Sequence, residues 1–285
     1  MTLPLPTIAT RVMAFIGVSF PRSLTKLDNL LQNANTRPDA VGSLLRSDPL
    51  LSALVLGHAN AVRPVTTVSE AIQQVGMSAV LGLVRECPPI PDDRRQWMFG
   101  FWEEANATAI LTRVIARHLQ AHRRYPGYLR ENDETLHLAG LLHNLGSMLA
   151  MLQFPEQYTQ AGQDLEKDPE ERAFRHLLKD RLGMSTGDLG YMLAHNWHLP
   201  AMISEVNRFH CHPLRAERHQ ELVAIVHVAR TIARGCGHCA GLDRYLDPID
   251  DGVLAAINLT TGDFDLVVNQ FLDEWEEMEQ WEAGS

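Results

Sequence analysis

HLAGLLHNLGSMLAML, residues 137–152, reads as a helix buried on most of its faces, interrupted by the adjacent polar pair His143 and Asn144. Its helical pattern extends over Asp133–Gln153, with His137 nearly two turns ahead of His143. Working outward, three- and four-residue apolar spacing recurs in Trp97–Ala121, Glu170–Leu182, Thr186–Asn196, Ala201–Phe209, Glu217–Arg234 and Phe264–Met278. Upstream, Asp48 precedes Pro49 and LLSALVLGHANAV, which predicts an aspartate cap with proline at the first helical position. Thr67 and Glu70 have capping-box spacing ahead of AIQQVGMSAVLGLV. Alternating strand patterns are nearly absent, so the expected class is all-α.

The clearest break is CPPIPDD, Cys87–Asp93, because Pro88, Pro89 and Pro91 cannot continue a helix. Before it lie short aliphatic helices; after it lie all five tryptophans and 12 of the 13 histidines. The expected organisation is a small helical subdomain over 1–90, a larger one over 91–260 and an acidic amphipathic helix over 261–285. Arg123–Asp133 and Gly235–Asp251 both read as loops within the larger subdomain.

Composition narrows the function classes. Lys plus Arg is 25 and Asp plus Glu is 35, a formal charge of −10 over 285 residues. Phosphate neutralisation dominates nucleic-acid affinity, so a general nucleic-acid coat is disfavoured. Six of the acids lie in the last 15 residues, and without them the charge is −4. The apolar stretch Pro49–Val62 is 14 residues long and contains His58 and Asn60, so no membrane span is expected there. MTLPLPTIATRVMAF lacks a basic start before an apolar run, so no signal peptide is read. Four cysteines are too few for a disulfide scaffold, and the expected compartment is the cytoplasm.

Several segments together resemble one family. GLLHNLG is similar to the "GLLHDIGK" segment of the HD phosphohydrolase superfamily, in which neighbouring His and Asp hold divalent metals. LPLPTIATRVMAF, DPLLSALVLGHANA, VTTVSEAIQQVG, FWEEANATA, HNLG and HNWHLPAMISEVNRFHCHP follow one another as in the HDOD family, over roughly residues 3–235. The resemblance implies a small N-terminal helical part followed by an HD-like part, in a branch whose metal-site residues are often lost. Position by position, His143 matches the motif histidine and Asn144 stands where an aspartate belongs. Glu104 falls near the first superfamily histidine, Thr186 replaces another, and His210 is kept with Cys211 beside it. Arg230 stands nearest the late aspartate. One clear ligand type survives, beside neutral or weakly coordinating positions and a cation, which does not suit a dication pair, so no metal and no cofactor are expected. The former cleft near His143, Asn144, Glu104, Thr186, His210 and Arg230 is expected to be filled by side chains or to bind a small anion.

Three further features carry chemistry. Cys236 and Cys239, in GCGHCAG, are inert thiols in a turn, a reversible redox pair, or two zinc thiolates with partners from Cys211, His210, His212 or His238. Arg113, Arg117, His118, His122, Arg123, Arg124 and Arg130 form a basic run, for which the acidic tail is a natural intramolecular or dimeric partner. In the tail, Val268, Phe271, Leu272, Trp275 and Met278 make an apolar stripe that either docks on its own domain or, through Phe271, Trp275 and Met278, meets a partner. The resemblance implies a non-catalytic bacterial signalling regulator that works through protein partners and does not engage a membrane. The alternatives are an HD-type phosphohydrolase or cyclic-dinucleotide phosphodiesterase with unusual ligands, and a nucleic-acid-binding regulator.

Overall fold

The chain is described by a computed structural model covering residues 3–32, 38–122, 131–167 and 173–284. The N-terminal helices are α1 Leu5–Ala14, α2 Pro21–Gln32, α3 Pro38–Ser47, α4 Pro49–Asn60, α5 Val68–Val75 and α6 Met77–Glu86. After the proline-rich break come α7 Arg95–Ala121, α8 Asp133–Leu141, α9 Leu145–Gln153, α10 Pro155–Lys167 and α11 Phe174–Leu182. The chain continues through α12 Thr186–Asn196, α13 Ala201–Phe209, α14 Gln220–Gly235, α15 Asp251–Ile257 and α16 Phe264–Gly284. The class is all-α; among the described residues the only sheet-like pairing is an isolated bridge between Ser19 and Pro89. That bridge anchors CPPIPDD: Ser19 N donates to Pro88 O at 2.9 Å and Ile90 N to Ser19 O at 3.0 Å.

The helix starts follow from local chemistry. Asp48 Oδ1 accepts from the Leu50 and Leu51 amides, both at 3.0 Å, with Pro49 at the first position. Thr67 and Glu70 form the reciprocal capping box at the start of α5. Ser185 and Asn132 cap α12 and α8 with their side-chain oxygens, which accept from the Asp188 and Thr135 amides. Each such cap is worth about 1 kcal/mol.

The buried residues form one continuous core running from Ile8 to Trp275. Its axis is α7, every residue of which is buried from Ala105 to Thr112, packed against α8, α14 and α16. In α14 every residue from Leu222 to Arg230 is buried too. Helices apolar on all sides are interior helices, and polar groups on them must be satisfied inside.

Asp133–Gln153 differs from the single helix expected. The chain breaks at Leu142–Asn144, and Asn207 of α13 bridges the gap. Its Nδ2 donates to Leu142 O at 2.7 Å and its Oδ1 accepts from Leu145 N at 3.1 Å. Two backbone groups orphaned by the break are thereby satisfied. This stretch also has the length and hydropathy of a membrane span, with an 18-residue window at a mean hydropathy of 1.2, which the reading of Pro49–Val62 did not anticipate; 89% of that window is buried within the protein. The break lets α9 turn against α12 at Gly146, where a Cβ would lie 1.8 Å from Thr186 O. Smaller differences are that α14 starts at Gln220 rather than Glu217, and that α16 continues past Met278 to Gly284.

Candidate functional site: a buried charge cluster between α7 and α14

Glu104 lies midway along α7 with no solvent exposure. Its Oε1 accepts from Arg230 Nε at 3.1 Å and Arg234 Nη2 at 3.2 Å, and lies 3.3 Å from His143 Nε2. Its Oε2 accepts from Arg234 Nη2 at 3.1 Å and from the Ala240 amide at 2.6 Å. Asn144 Nδ2 is 3.5 Å from Oε1. Arg230, only 2% exposed, also donates to Asp247 and to Asp243. Arg234 Nη1 donates to Asp243 at 3.2 Å and to Tyr245 O at 2.7 Å. Arg175 Nη2 of α11 pairs with Asp247 Oδ1 at 2.6 Å.

Three carboxylates thus face three guanidinium groups, and the cluster is formally neutral. Such balance is required in an interior where an unpaired charge is costly to desolvate. Burial opposes ionisation of Glu104, but Arg234, the His143 hydrogen bond and Arg230 outweigh it and hold the carboxyl well below the usual range. Asp247 is held low against its own burial, chiefly by Arg230 and Arg175.

The sequence-derived positions are therefore brought together. His143, Asn144 and Arg230 all meet Glu104, and the His210 ring meets His143 edge-on at 5.3 Å between centroids. Thr186 stands at the edge, where it and Asn144, Ser147, Arg175 and Asp243 line a cavity of about 10 Å³, room for a single water. Arg230 differs from its expected role as receiver of a small anion: its three guanidinium nitrogens already donate to Glu104, Asp243 and Asp247.

The donor set does not fit a pair of dications. The position facing Glu104 and His143 holds the Arg230 guanidinium, which can donate but cannot ligate. Among the described residues no group of three or more His, Cys, Asp or Glu side chains is arranged to hold a metal ion.

The histidines give the fold a pH dependence. Burial is the main force holding both His143 and His210 below the ordinary histidine value, with Arg230 adding to it in each case. The unfolded chain takes up their protons below about pH 6.5 while the folded chain resists, so stability is full above that pH and falls as the solution is acidified. Asp48 acts with the opposite sign: burial raises it to about 6, so its contribution improves as pH falls through that value. Three buried histidines, with His137 lowered to about 3 in the same way, against Asp48 predict a net loss of about 2 kcal/mol between pH 6.5 and 5.5. Urea midpoints at the two pH values measure it; an unchanged or higher midpoint at pH 5.5 contradicts the burial of neutral rings.

Sequence reasoning missed Arg234, Arg175, Asp243, Asp247 and Asn207. Arg234 had a signal, four residues after Arg230 and so on the same helical face. The two aspartates lie in the irregular segment between α14 and α15, where no periodicity marks them.

The other candidates fall elsewhere. Cys236 is exposed, Cys211 and Cys239 are half-buried, and all four cysteines are free thiols. Burial raises the Cys236 and Cys239 thiols, the opposite of activation. Phe271 and Trp275 are corrected from partner anchors to core residues: both are buried, and Met278 packs against the same core. The exposed member of that stripe is Leu272, because Val267 rather than Val268 takes the fully buried position. The basic run meets the acidic tail within the chain. Glu274 of α16 accepts from Arg113 at 3.1 Å and from Arg117 at 3.2 Å, while Arg117 also pairs with Asp133. His118 Nε2 lies 2.8 Å from Asp263 Oδ1. Arg123, Arg124 and Arg130 lie outside the described residues.

Comparison with known proteins places this architecture. The MmoQ response regulator of Methylococcus capsulatus str. Bath superposes with a TM-score of 0.67 at 19% identity, over 90% of this chain and 99% of that one. A Campylobacter jejuni subsp. jejuni virulence factor superposes with a TM-score of 0.60 at 16% identity, over 90% and 97% of the two chains. A Treponema pallidum (strain Nichols) protein described as uncharacterized is 24% identical over 232 residues, 75% of this chain. This chain spans only 41% of the length of that relative. The likenesses define a class of all-helical protein sharing one fold. The HDOD domain matches residues 18–213, and the chain belongs to the HDOD family. Arg230, Arg234, Asp243, Asp247 and α16 lie beyond that match.

Proposed function

We propose that this protein is a non-catalytic, cytoplasmic signal-transduction component of bacterial type that acts by binding protein partners. The observation that carries the reading is the pairing of Glu104 with Arg230 and Arg234 in a fully buried position. A superfamily hydrolase needs an accessible cation there to activate water. Here protein guanidinium groups supply the positive charge, and their partners fill the space. The neutral cluster favours a rigid scaffold over a reaction centre: Asp243 and Asp247 tie the segment after α14 back to α14 and, through Arg175, to α11, while the Ala240 amide ties it to Glu104 of α7. The likeness to the MmoQ response regulator of Methylococcus capsulatus str. Bath supports a place in signalling. The test is phosphodiester turnover by the full chain supplied with Mn²⁺, Mg²⁺ or Fe²⁺, for which no activity is expected.

A further inference from the structure

A second feature lies on the opposite side of α7 from any reaction centre and is open to solvent. A groove of about 850 Å³ runs between α16 on one side and α3 with the start of α8 on the other, floored by α7. That volume is in the range of small-molecule sites, which favour seams between structural units.

Its walls divide by chemistry. Arg46 of α3 and Arg113 and Arg117 of α7 bring three guanidinium groups to it, and Ile110, Met278 and Trp281 give it an apolar side. Arg113 Nε is buried without an acceptor, so a donor in this lining is unsatisfied. His137 Nε2 donates to Arg46 O at 2.9 Å, which leaves Nδ1 of the neutral ring as an acceptor. Burial and the nearby Arg113 keep that ring neutral, with its value lowered to about 3.

The groove also carries acids, and these specify how an anion enters. Asp133, Glu134, Glu274 and Glu277 face the three arginines, so an added anion meets no net positive field. It must take the place of an acid already there. Glu274 is that acid: its two oxygens bridge Arg113 and Arg117 as two oxygens of one phosphoryl group would. Trp281, 42% exposed on the same wall with Lys26 Nζ 4.8 Å from its ring centroid, adds an aromatic ring beside the guanidinium groups.

We propose that this groove binds a phosphate-bearing small molecule with a planar ring, which docks by displacing the Glu274 carboxylate from Arg113 and Arg117. Occupancy then loosens one of the polar ties that hold α16 to α7, so ligand binding and the position of the last helix are coupled. A separate tie of α16, Glu282 to Arg22 and Lys26 of α2, is left in place.

Titration calorimetry with ADP, adenosine and pyrophosphate on the full chain tests this. ADP is expected to bind at least ~tenfold more tightly than adenosine, and Glu274→Gln to bind ADP at least ~threefold more tightly than wild type. Arg113→Gln is expected to weaken ADP by ~tenfold or more, with Arg46→Gln on a separate helix as a second variant if Arg113→Gln lowers the melting temperature. Trp281→Ala is expected to weaken ADP while leaving pyrophosphate unchanged. Absence of ADP binding to Glu274→Gln at about 1 mM, or ADP affinity indifferent to both arginine variants, overturns the proposal. Pyrophosphate binding as tightly as ADP overturns the ring contact. Phosphodiester turnover is not part of this readout, so failure here leaves the non-catalytic reading standing.

Discussion

Arg230→Met is expected to destabilise the fold by about 3–5 kcal/mol, the range for removing one partner of a buried ion pair. Methionine fills much of the same volume, so the loss isolates charge rather than a cavity. Asp247 would keep Arg175 and Glu104 would keep Arg234, yet each loses the guanidinium that joins them. With a urea m-value near 3 kcal/mol per molar, the midpoint falls by about 1 M or more. Adding Asp247→Asn to Arg230→Met should recover part of the loss, because one uncompensated charge disappears with its partner. A loss below about 1 kcal/mol for the single variant means that Arg230 is not central to the cluster.

Gly146→Ala is the second large effect. The new Cβ would lie 1.8 Å from Thr186 O and 2.5 Å from Gly190 N, both backbone atoms of α12. Backbone cannot swing aside as a flexible side chain does, so α9 and α12 must separate. That separation also strains the Asn207 bridge across the α8–α9 break. A loss of about 3 kcal/mol, at the upper end for overpacking, is expected. Gly82→Ala is the control, since nothing lies within 4 Å of its added Cβ. There the helix gains propensity, and stability should rise by about 0.5–1 kcal/mol. Equal behaviour of the two variants by urea denaturation contradicts the close approach of α9 and α12.

The fold was legible where local chemistry dictated it. Asp48-Pro49, Thr67 with Glu70, and the apolar spacing along α12 and α13 announced helices because caps and periodicity are properties of adjacent residues. The break inside Asp133–Gln153 was only half legible. His143 and Asn144 marked a polar interruption, but the group that satisfies the broken backbone is Asn207, more than sixty residues later and without a pattern of its own.

The candidate site shows the same division. Glu104 and Arg230 were singled out by their positions in a resemblance, as a lost ligand and a misplaced cation. That each is the other's answer, a carboxylate on α7 opposite a guanidinium on α14, emerges only when the two helices are packed. Arg234 could have been read from its four-residue spacing. Asp243 and Asp247 could not, since their role depends on the path of an irregular segment. For the tail, spacing revealed an amphipathic helix but not what it faces; the Glu274 bridge to Arg113 and Arg117 makes it part of the body.

We propose that the Arg230 and Arg234 guanidinium groups stand where a hydrolase of this superfamily would hold its catalytic cation. The most direct test is hydrolysis of bis(p-nitrophenyl) phosphate by the full chain and by His143→Ala, each in saturating Mn²⁺. Neither is expected to exceed the protein-free rate. Wild-type turnover that disappears in His143→Ala would contradict it.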